Sequence, residues 1–445
     1  MAVGQKKVVY TFDDMIASLR KAMGRFPDPR SGSNTQYEVM DAACGAFSVF
    51  FTQCDSFLSH QTLMQQKYGL SNARTLFGMQ NIPSDNQIRN LLDNSSPILL
   101  SSVFTDCFNA LERSGHLDSY RVTLGKNKND LLLALDGTTY FSSDAINCNN
   151  CSIKIKEGKT NYSHSMVTPT IVKPGANKVI SLNPSFITPQ DGDSKQDSEL
   201  KASKRWIRKH ANTYTDITIL GDDLYAHEPF CRDLKKWGMN FILVCKPDSH
   251  KTLYEWIKGI TKEKTEDRFD GKKHLIYTYN YVEGVPLKDS KDSLLVNFVE
   301  VIVKDRKTGE QLYHNAFITN HPVTSETLST IVDCGRARWK IENENNNTLK
   351  TKGYHLEHNF GHGTAYLASV LASMNLLAFL FHTMLEFMNK KYQLLRKIIG
   401  ARKHFFNHIK ILLIYHPFTN FNHLMNFMLE GLKKPYGLDK LRYPL

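Results

Sequence analysis

The sequence predicts a mixed α/β sheet domain that carries a β-rich insertion, preceded by a helical N-terminal lobe and followed by a basic helical tail. Three observations carry this expectation: residues 10–120 read as helical, short apolar runs alternating with helical stretches begin at Asp130, and extended segments fill 246–324. Strands that alternate with helices imply a mixed sheet covered by helices. At 445 residues the chain exceeds what one core commonly organises, so two or three lobes are expected. Their boundaries are placed at 1–125, 126–388 and 389–445, with the insertion at about 246–324.

In the first lobe, Ser84-Asp85-Asn86-Gln87 stands after Pro83 and before Ile88 and Leu91-Leu92, the form of a capping box at a helix start. DNA binding by this lobe stays open, because no helix-turn-helix can be assigned in it. From Leu131 an apolar run reaches Asp136 before Gly137, as expected of a strand buried on both faces whose last residue emerges at a site. Further strands are expected at 166–172 and 178–182, and a helix at 194–210 capped near Asp197 or Ser198. The run 217–220 is the next strand and leads into Gly221-Asp222-Asp223. A helix follows over 228–238, with Pro229 early and Gly238 late. Residues 241–245 supply another buried strand.

Inside the insertion, 274–282, 294–303 and 311–319 read as strands, the last after a turn at 305–309. Helix is expected to resume before Arg336 and run through Lys350, and another to begin near Gly363. The apolar stretch 365–387 is long enough to span a membrane. Asn375 and His382 interrupt it, so it is assigned to a buried helix of a large protein and no membrane partner is expected.

The formal charge is +12 and the isoelectric point about 9.1, which points to a polyanionic partner. Between Asn389 and Leu445 eleven Lys or Arg face two acids, Glu430 and Asp439, a distribution that suits a DNA-phosphate footprint. Eight cysteines are scattered without a dense framework, and Met1-Ala2-Val3-Gly4-Gln5-Lys6-Lys7 has no secretory pattern. A reducing, intracellular setting is expected.

The chemistry is expected around Arg338-Trp339-Lys340-Ile341-Glu342-Asn343-Glu344. At ~3.6 residues per turn, positions 338, 342, 345 and 349 share a helix face and 344 points nearly opposite. Arg338 then stands beside Glu342, where its planar fork suits a phosphate, and Trp339 is expected to anchor in the core. Asp136 and Asp222 close two strand-like runs. A one-residue step on a strand reverses the side chain, so Asp222 and not Asp223 is expected at the site. Two strand-end aspartates and a helical glutamate offer hard oxygen donors to a pair of Mg²⁺ ions, with Mn²⁺ as a substitute, against a phosphodiester.

Lys350 and Lys352 are expected to contact phosphate. Cys148-Asn-Asn-Cys151 followed by His164 looks like part of a zinc site that lacks a clear fourth ligand. His355, His358 and His362 are assigned to a polar loop near the active site that hydrogen-bonds DNA or orients the carboxylates.

With Asp136 in Leu-Asp-Gly-Thr, Asp222 in Leu-Gly-Asp-Asp and the Arg338-Trp339-x-Ile341-Glu342 string running on to Gly363, the chain resembles bacterial insertion-sequence transposases of the DDE class over roughly 131–382. The resemblance implies an RNase H-like core with a β-strand insertion before the glutamate. It implies a metal-binding triad of Asp136, Asp222 and Glu342, two ions per site, and Arg338 as phosphate-binding neighbour. It also implies double-stranded DNA as partner, at element ends and target, a homodimer in the DNA complex, and a bacterial cytoplasmic, nucleoid-associated location. Two positions depart from the group's pattern: Gly335 stands where it has tyrosine, and Leu349, beside Lys350, where it has lysine. The alternatives are a catalytically silent DNA-binding protein derived from a transposase, and an RNase H-like nuclease that cleaves without joining.

Overall fold

Leu131, Leu132, Leu133 and Leu135 are completely buried, as are Ile217, Ile219 and Leu220, because the two runs lie side by side in the middle of one large sheet. The structure is a computed structural model that describes residues 10–31, 37–125, 129–189 and 197–433. The first seven residues, the expected helix start at 194–196 and the end of the basic tail at 434–445 lie outside the described residues.

The chain opens with helices α1 (Phe12–Met23), α2 (Val39–Phe51), α3 (Phe57–Met64), α4 (Gly69–Phe77), α5 (Asp85–Leu92) and α6 (Ser101–Arg113). The Ser84 hydroxyl accepts from the Gln87 N–H and starts α5 as expected. Helix α2 is apolar on nearly every side because it is buried on nearly every side.

Strands follow: β1 (Val122–Thr123), β2 (Asn129–Ala134), β3 (Gly137–Ser143), β4 (Ser152–Lys156), β5 (Lys159–Val167), β6 (Thr170–Val172), β7 (Ile180–Ser181) and β8 (Ser185–Ile187). Helix α7 (Glu199–His210), capped by Ser198, leads to β9 (Ile217–Gly221), and α8 (Glu228–Lys236) crosses over to β10 (Asn240–Val244). After the short α9 (Lys251–Trp256) come β11 (Lys262–Phe269), β12 (His274–Pro286), β13 (Leu295–Asp305) and β14 (Gln311–Thr319). The described chain ends with α10 (Leu328–Arg336), a π-helical turn (Ile341–Asn346), α11 (Asn347–Thr351), α12 (Leu367–Met388), α13 (Lys390–Ile399), α14 (Arg402–Tyr415) and α15 (Phe421–Lys433).

The central sheet runs β11-β12-β13-β14-β10-β9-β2-β6-β7, with β1 also paired to β2. The β2–β9 and β9–β10 pairs are parallel and the other pairs antiparallel. The expected insertion is therefore not a lobe apart. β14 pairs with β10, Val244 opposite Phe317, so the inserted strands extend the central sheet.

A second sheet, β3-β5-β4 with β8 on β5, was not foreseen in the sequence. Only one of the five β4 residues is buried, so its hydropathy lacks the alternation that marks a strand. The expected strand 166–172 is two strands divided at Thr168-Pro169, where proline supplies no ladder donor and Thr168 N donates to Asp136 O at 3.0 Å.

Helix α12 is long and apolar enough to cross a membrane, but 94% of its apolar window is buried inside the protein. Its two polar interruptions have partners there. Asn375 Nδ2 donates to Tyr354 O at 2.7 Å, His382 Nε2 donates to Phe51 O at 3.1 Å, and His382 Nδ1 meets the Tyr354 hydroxyl at 2.6 Å. The N-terminal and C-terminal helices share this core. Asn72 donates to Leu413 O at 2.7 Å and His416 O at 2.8 Å, and Phe12 stacks on Phe421 at 4.3 Å.

Asp93, just after α5, accepts from the backbone N–H groups of Thr364, Ala365, Tyr366 and Leu367 and from the Thr364 hydroxyl. Burial alone would raise its carboxyl, but these donors outweigh burial and hold it below the usual carboxylate range. Asp93→Ala is expected to cost about 2 kcal/mol at neutral pH, as for charge-assisted bonds lost from a helix start. Because the folded value lies below the unfolded one, this contribution is full above pH about 4 and is lost as pH falls through the folded value. Denaturant unfolding checks it: the gap between the two proteins narrows from pH 7 towards pH 2, and a constant gap contradicts the assignment.

Candidate active site

In the parallel register of β2 and β9, Ala134 lies opposite Leu220, and Leu135 N donates to Leu220 O at 2.9 Å. Two residues further along each chain stand Asp136 and Asp222. Side chains alternate along a strand and neighbouring strands lie about 4.8 Å apart, so both carboxylates leave the same edge of the sheet side by side. Asp222 Oδ1 also accepts from Leu224 N at 2.9 Å, which tightens the turn after β9.

Asp223 goes elsewhere. It accepts from Lys246 N at 2.7 Å and from the Ser249 hydroxyl, and so ties the end of β9 to the segment after β10.

The third carboxylate arrives from the π-helical turn. Glu342 Oε1 accepts from Arg338 Nη1 at 2.7 Å, the pairing expected for an i, i+4 step. The widened turn also brings two successive residues inward, Asn345 and Asn346. Asn346 Nδ2 donates to Asp136 Oδ2 at 2.8 Å, and its Oδ1 accepts from the Thr168 hydroxyl at 2.9 Å and from Asn345 Nδ2 at 3.0 Å. The Ser181 hydroxyl completes the chain by donating to Asn345 Oδ1 at 2.6 Å. An expectation of uniform helix through Lys350 places only one residue of this asparagine pair on the inner face; the π turn places both.

Burial raises the Asp136 carboxyl to about 7, with the negative charges of Glu199, Glu342 and Asp222 adding to it and Arg338 opposing. Glu199 is a fourth carboxylate that the sequence did not reveal. It opens α7, accepts from the Tyr225 hydroxyl at 2.7 Å, and is itself raised by burial and by Asp222. In the sequence it is one more acid in a first helical turn, a position that the helix dipole favours without any function. A Cβ at position 137 would meet the Glu199 carboxylate, so a side chain there would displace it.

Several expected positions resolve differently. Trp339 is no core anchor: it is 49% exposed, because Arg338, at 7%, takes the buried direction and its neighbour must face out. The Arg338 guanidinium lies 5.2 Å from the Trp339 ring centre. Gly335 has a packing cause, since a Cβ there would sit 2.7 Å from the Phe317 ring where α10 crosses β14. Leu349 is fully buried, and Lys350 pairs with Glu357 at 2.8 Å.

Lys352 lines a groove of about 450 Å³ with Arg402, Lys403 and Lys410. His358 rests edge-on against Phe360 at 4.8 Å. Among the described residues no hydrogen bond or ion pair joins Lys350, Lys352 or His358 to the three carboxylates. The three histidines do not form one polar loop at the site: His355 pairs with Asp55 at 3.2 Å, and His362 turns towards Cys151 and His164.

Four carboxylates and an asparagine gather near one arginine, and burial, with the neighbouring negative charges adding to it, raises the Asp136 carboxyl. Oxygen donors are the type that hard divalent cations take, but among the described residues the group of His, Cys, Asp and Glu donor atoms close enough together to hold an ion is Cys148, Cys151, His164 and His362. No protein-family model matches the chain, and no curated protein matches it.

The Asp136 carboxyl holds its proton more tightly when folded than when unfolded, so its ionisation destabilises the metal-free protein as pH rises from about 4 to about 7. Asp136→Asn is expected to stabilise chelator-treated protein by about 2 kcal/mol at pH 8 and to leave it nearly unchanged at pH 4. Thermal unfolding at the two pH values checks this, and equal effects at both would show that the folded protein does not raise the Asp136 carboxyl.

Proposed function

We propose that the chain is a DNA transposase of the DDE class, with Asp136, Asp222 and Glu342 as its metal-binding triad and an RNase H-like core as its scaffold. The observation that carries this reading is the convergence at one sheet edge of two strand-end aspartates, 86 residues apart in sequence, with a glutamate that a later helical segment presents. The strand order supports the same core: β2 lies between β6 and β7, joined antiparallel on one side, and β9 and β10, joined parallel on the other.

In this reading Asp136, Asp222 and Glu342 would hold two Mg²⁺ ions, or Mn²⁺ in their place, which would supply Lewis-acid charge for phosphodiester chemistry. Asn346 fixes the orientation of Asp136, and Glu199 adds a fourth oxygen donor. Arg338 keeps one guanidinium nitrogen on Glu342, while its buried Nε has no hydrogen-bond partner among the described residues. Lys352, Arg402, Lys403 and Lys410 form a cationic groove suited to a DNA backbone. The reaction is hydrolysis at an element end, followed by attack of the freed 3′-hydroxyl on target DNA, with two copies of the chain bringing two ends together.

Asp136→Asn, Asp222→Asn and Glu342→Gln are each expected to lower Mg²⁺-dependent cleavage of duplexes carrying the flanks of the coding sequence by about 10³-fold, or about 4 kcal/mol. DNA binding should persist in all three. Cleavage retained in Glu342→Gln but lost in Glu344→Gln would move the third ligand. Binding without cleavage by the wild type would indicate a silent DNA-binding protein, and cleavage without joined products a nuclease.

A further inference from the structure

Outside the carboxylate site, four side chains from three segments converge: Cys148 and Cys151 in the turn before β4, His164 on β5, and His362 in the loop before α12. We propose that these four residues form a structural zinc site, independently of whether the chain is a transposase.

The distances carry the argument. A tetrahedral Zn²⁺ with bonds of about 2.3 Å to sulfur and about 2.0–2.1 Å to nitrogen sets its ligands about 3.8 Å (S to S), 3.5 Å (S to N) and 3.3 Å (N to N) apart. The Cys148 and Cys151 Sγ atoms lie 3.9 Å apart, and each lies 3.5 Å from His164 Nε2. His362 Nε2 is 3.4 Å from Cys151 Sγ and 3.1 Å from His164 Nε2, and all four donor atoms lie within 4.8 Å of one another.

A disulfide would require the two sulfurs at about 2.05 Å. Hydrogen bonding alone is a poor account, because thiols are weak partners and would have to satisfy two largely buried imidazoles.

The surroundings fit a bound ion. His362 Nδ1 donates to Gly363 O at 2.8 Å, which leaves the Nε2 lone pair facing the cluster. Tyr140 and Phe141 wall it, with Phe141 4.4 Å from the His362 ring. Two thiolates and two neutral imidazoles around Zn²⁺ are neutral overall, so the ion can sit beside these rings without uncompensated charge. The ligand set is soft and distinct from the oxygen donors at Asp136, and selects zinc over magnesium.

The loop bearing His362 is positioned without the ion, since Asp93 holds the backbone just after it and Asn150 Nδ2 donates to Ala365 O at 2.8 Å. Bound zinc would fasten the β4–β5 hairpin, which continues from Asp136 through β3, to the chain downstream of Glu342.

The test uses the full chain purified under reducing conditions from zinc-supplemented medium. Elemental analysis is expected to find one zinc per chain, reduced at least tenfold in Cys148→Ser and in His362→Asn and unchanged in Asp136→Asn. Should those variants fail to fold, the wild type decides by itself. Cobalt(II) exchanged into it should give the visible absorption of a tetrahedral thiolate site, and alkylation of Cys148 and Cys151 should accelerate when a chelator is added. Absence of zinc with no cobalt spectrum, or zinc content unaffected by folded Cys148→Ser and His362→Asn, overturns the proposal.

Discussion

The parallel pairing of β2 with β9 is the constraint on which the rest of the structure depends. Both strands are buried on two faces, so their backbone groups must be satisfied by each other and by β6 and β10, and a slip of one residue in either strand would break the ladder and turn its aspartate away from the other. The register is pinned at the other end as well. Asp130, at the start of β2, is fully buried and accepts from the Thr218 hydroxyl of β9 and from Asn240 Nδ2 of β10, each at 2.7 Å. One buried carboxylate thereby aligns three strands whose far ends deliver Asp136 and Asp222.

Bringing like charges to one edge costs stability, and the surroundings limit that cost. Arg338 neutralises part of the charge, Asn346 and the Tyr225 hydroxyl donate to Asp136 and Glu199, and burial, with the remaining negative charge adding to it, raises Asp136 to about 7. The π turn has a direct part in this arrangement. By inserting an extra residue into its circuit it lets Glu342 and the pair Asn345-Asn346 face the sheet together, so a carboxylate and the polar chain from Ser181 reach the same place.

The helical layers keep this geometry from spreading apart. Helix α12 runs through the interior with its two polar side chains satisfied, while Asp93 joins the end of α5 to the loop that starts α12. His362 lies on that same loop, and Asn150 in the turn before β4 donates to Ala365 O, so the segment after Glu342 is held from the N-terminal helices and from the second sheet at once.

The strands that lead to Asp136 and Asp222 and helices α8 and α12 were legible in the sequence, because each follows from local periodicity, caps or strand alternation. These are short-range rules that any chain must obey. The second sheet, Glu199, the inward asparagine pair, the exposed Trp339 and the union of His362 with a Cys-x-x-Cys turn more than two hundred residues away were decided only by tertiary structure. Their physical reason is common: each depends on which distant segment packs alongside, and no local propensity distinguishes an acid at a helix start or a histidine in a polar loop until that neighbour is in place.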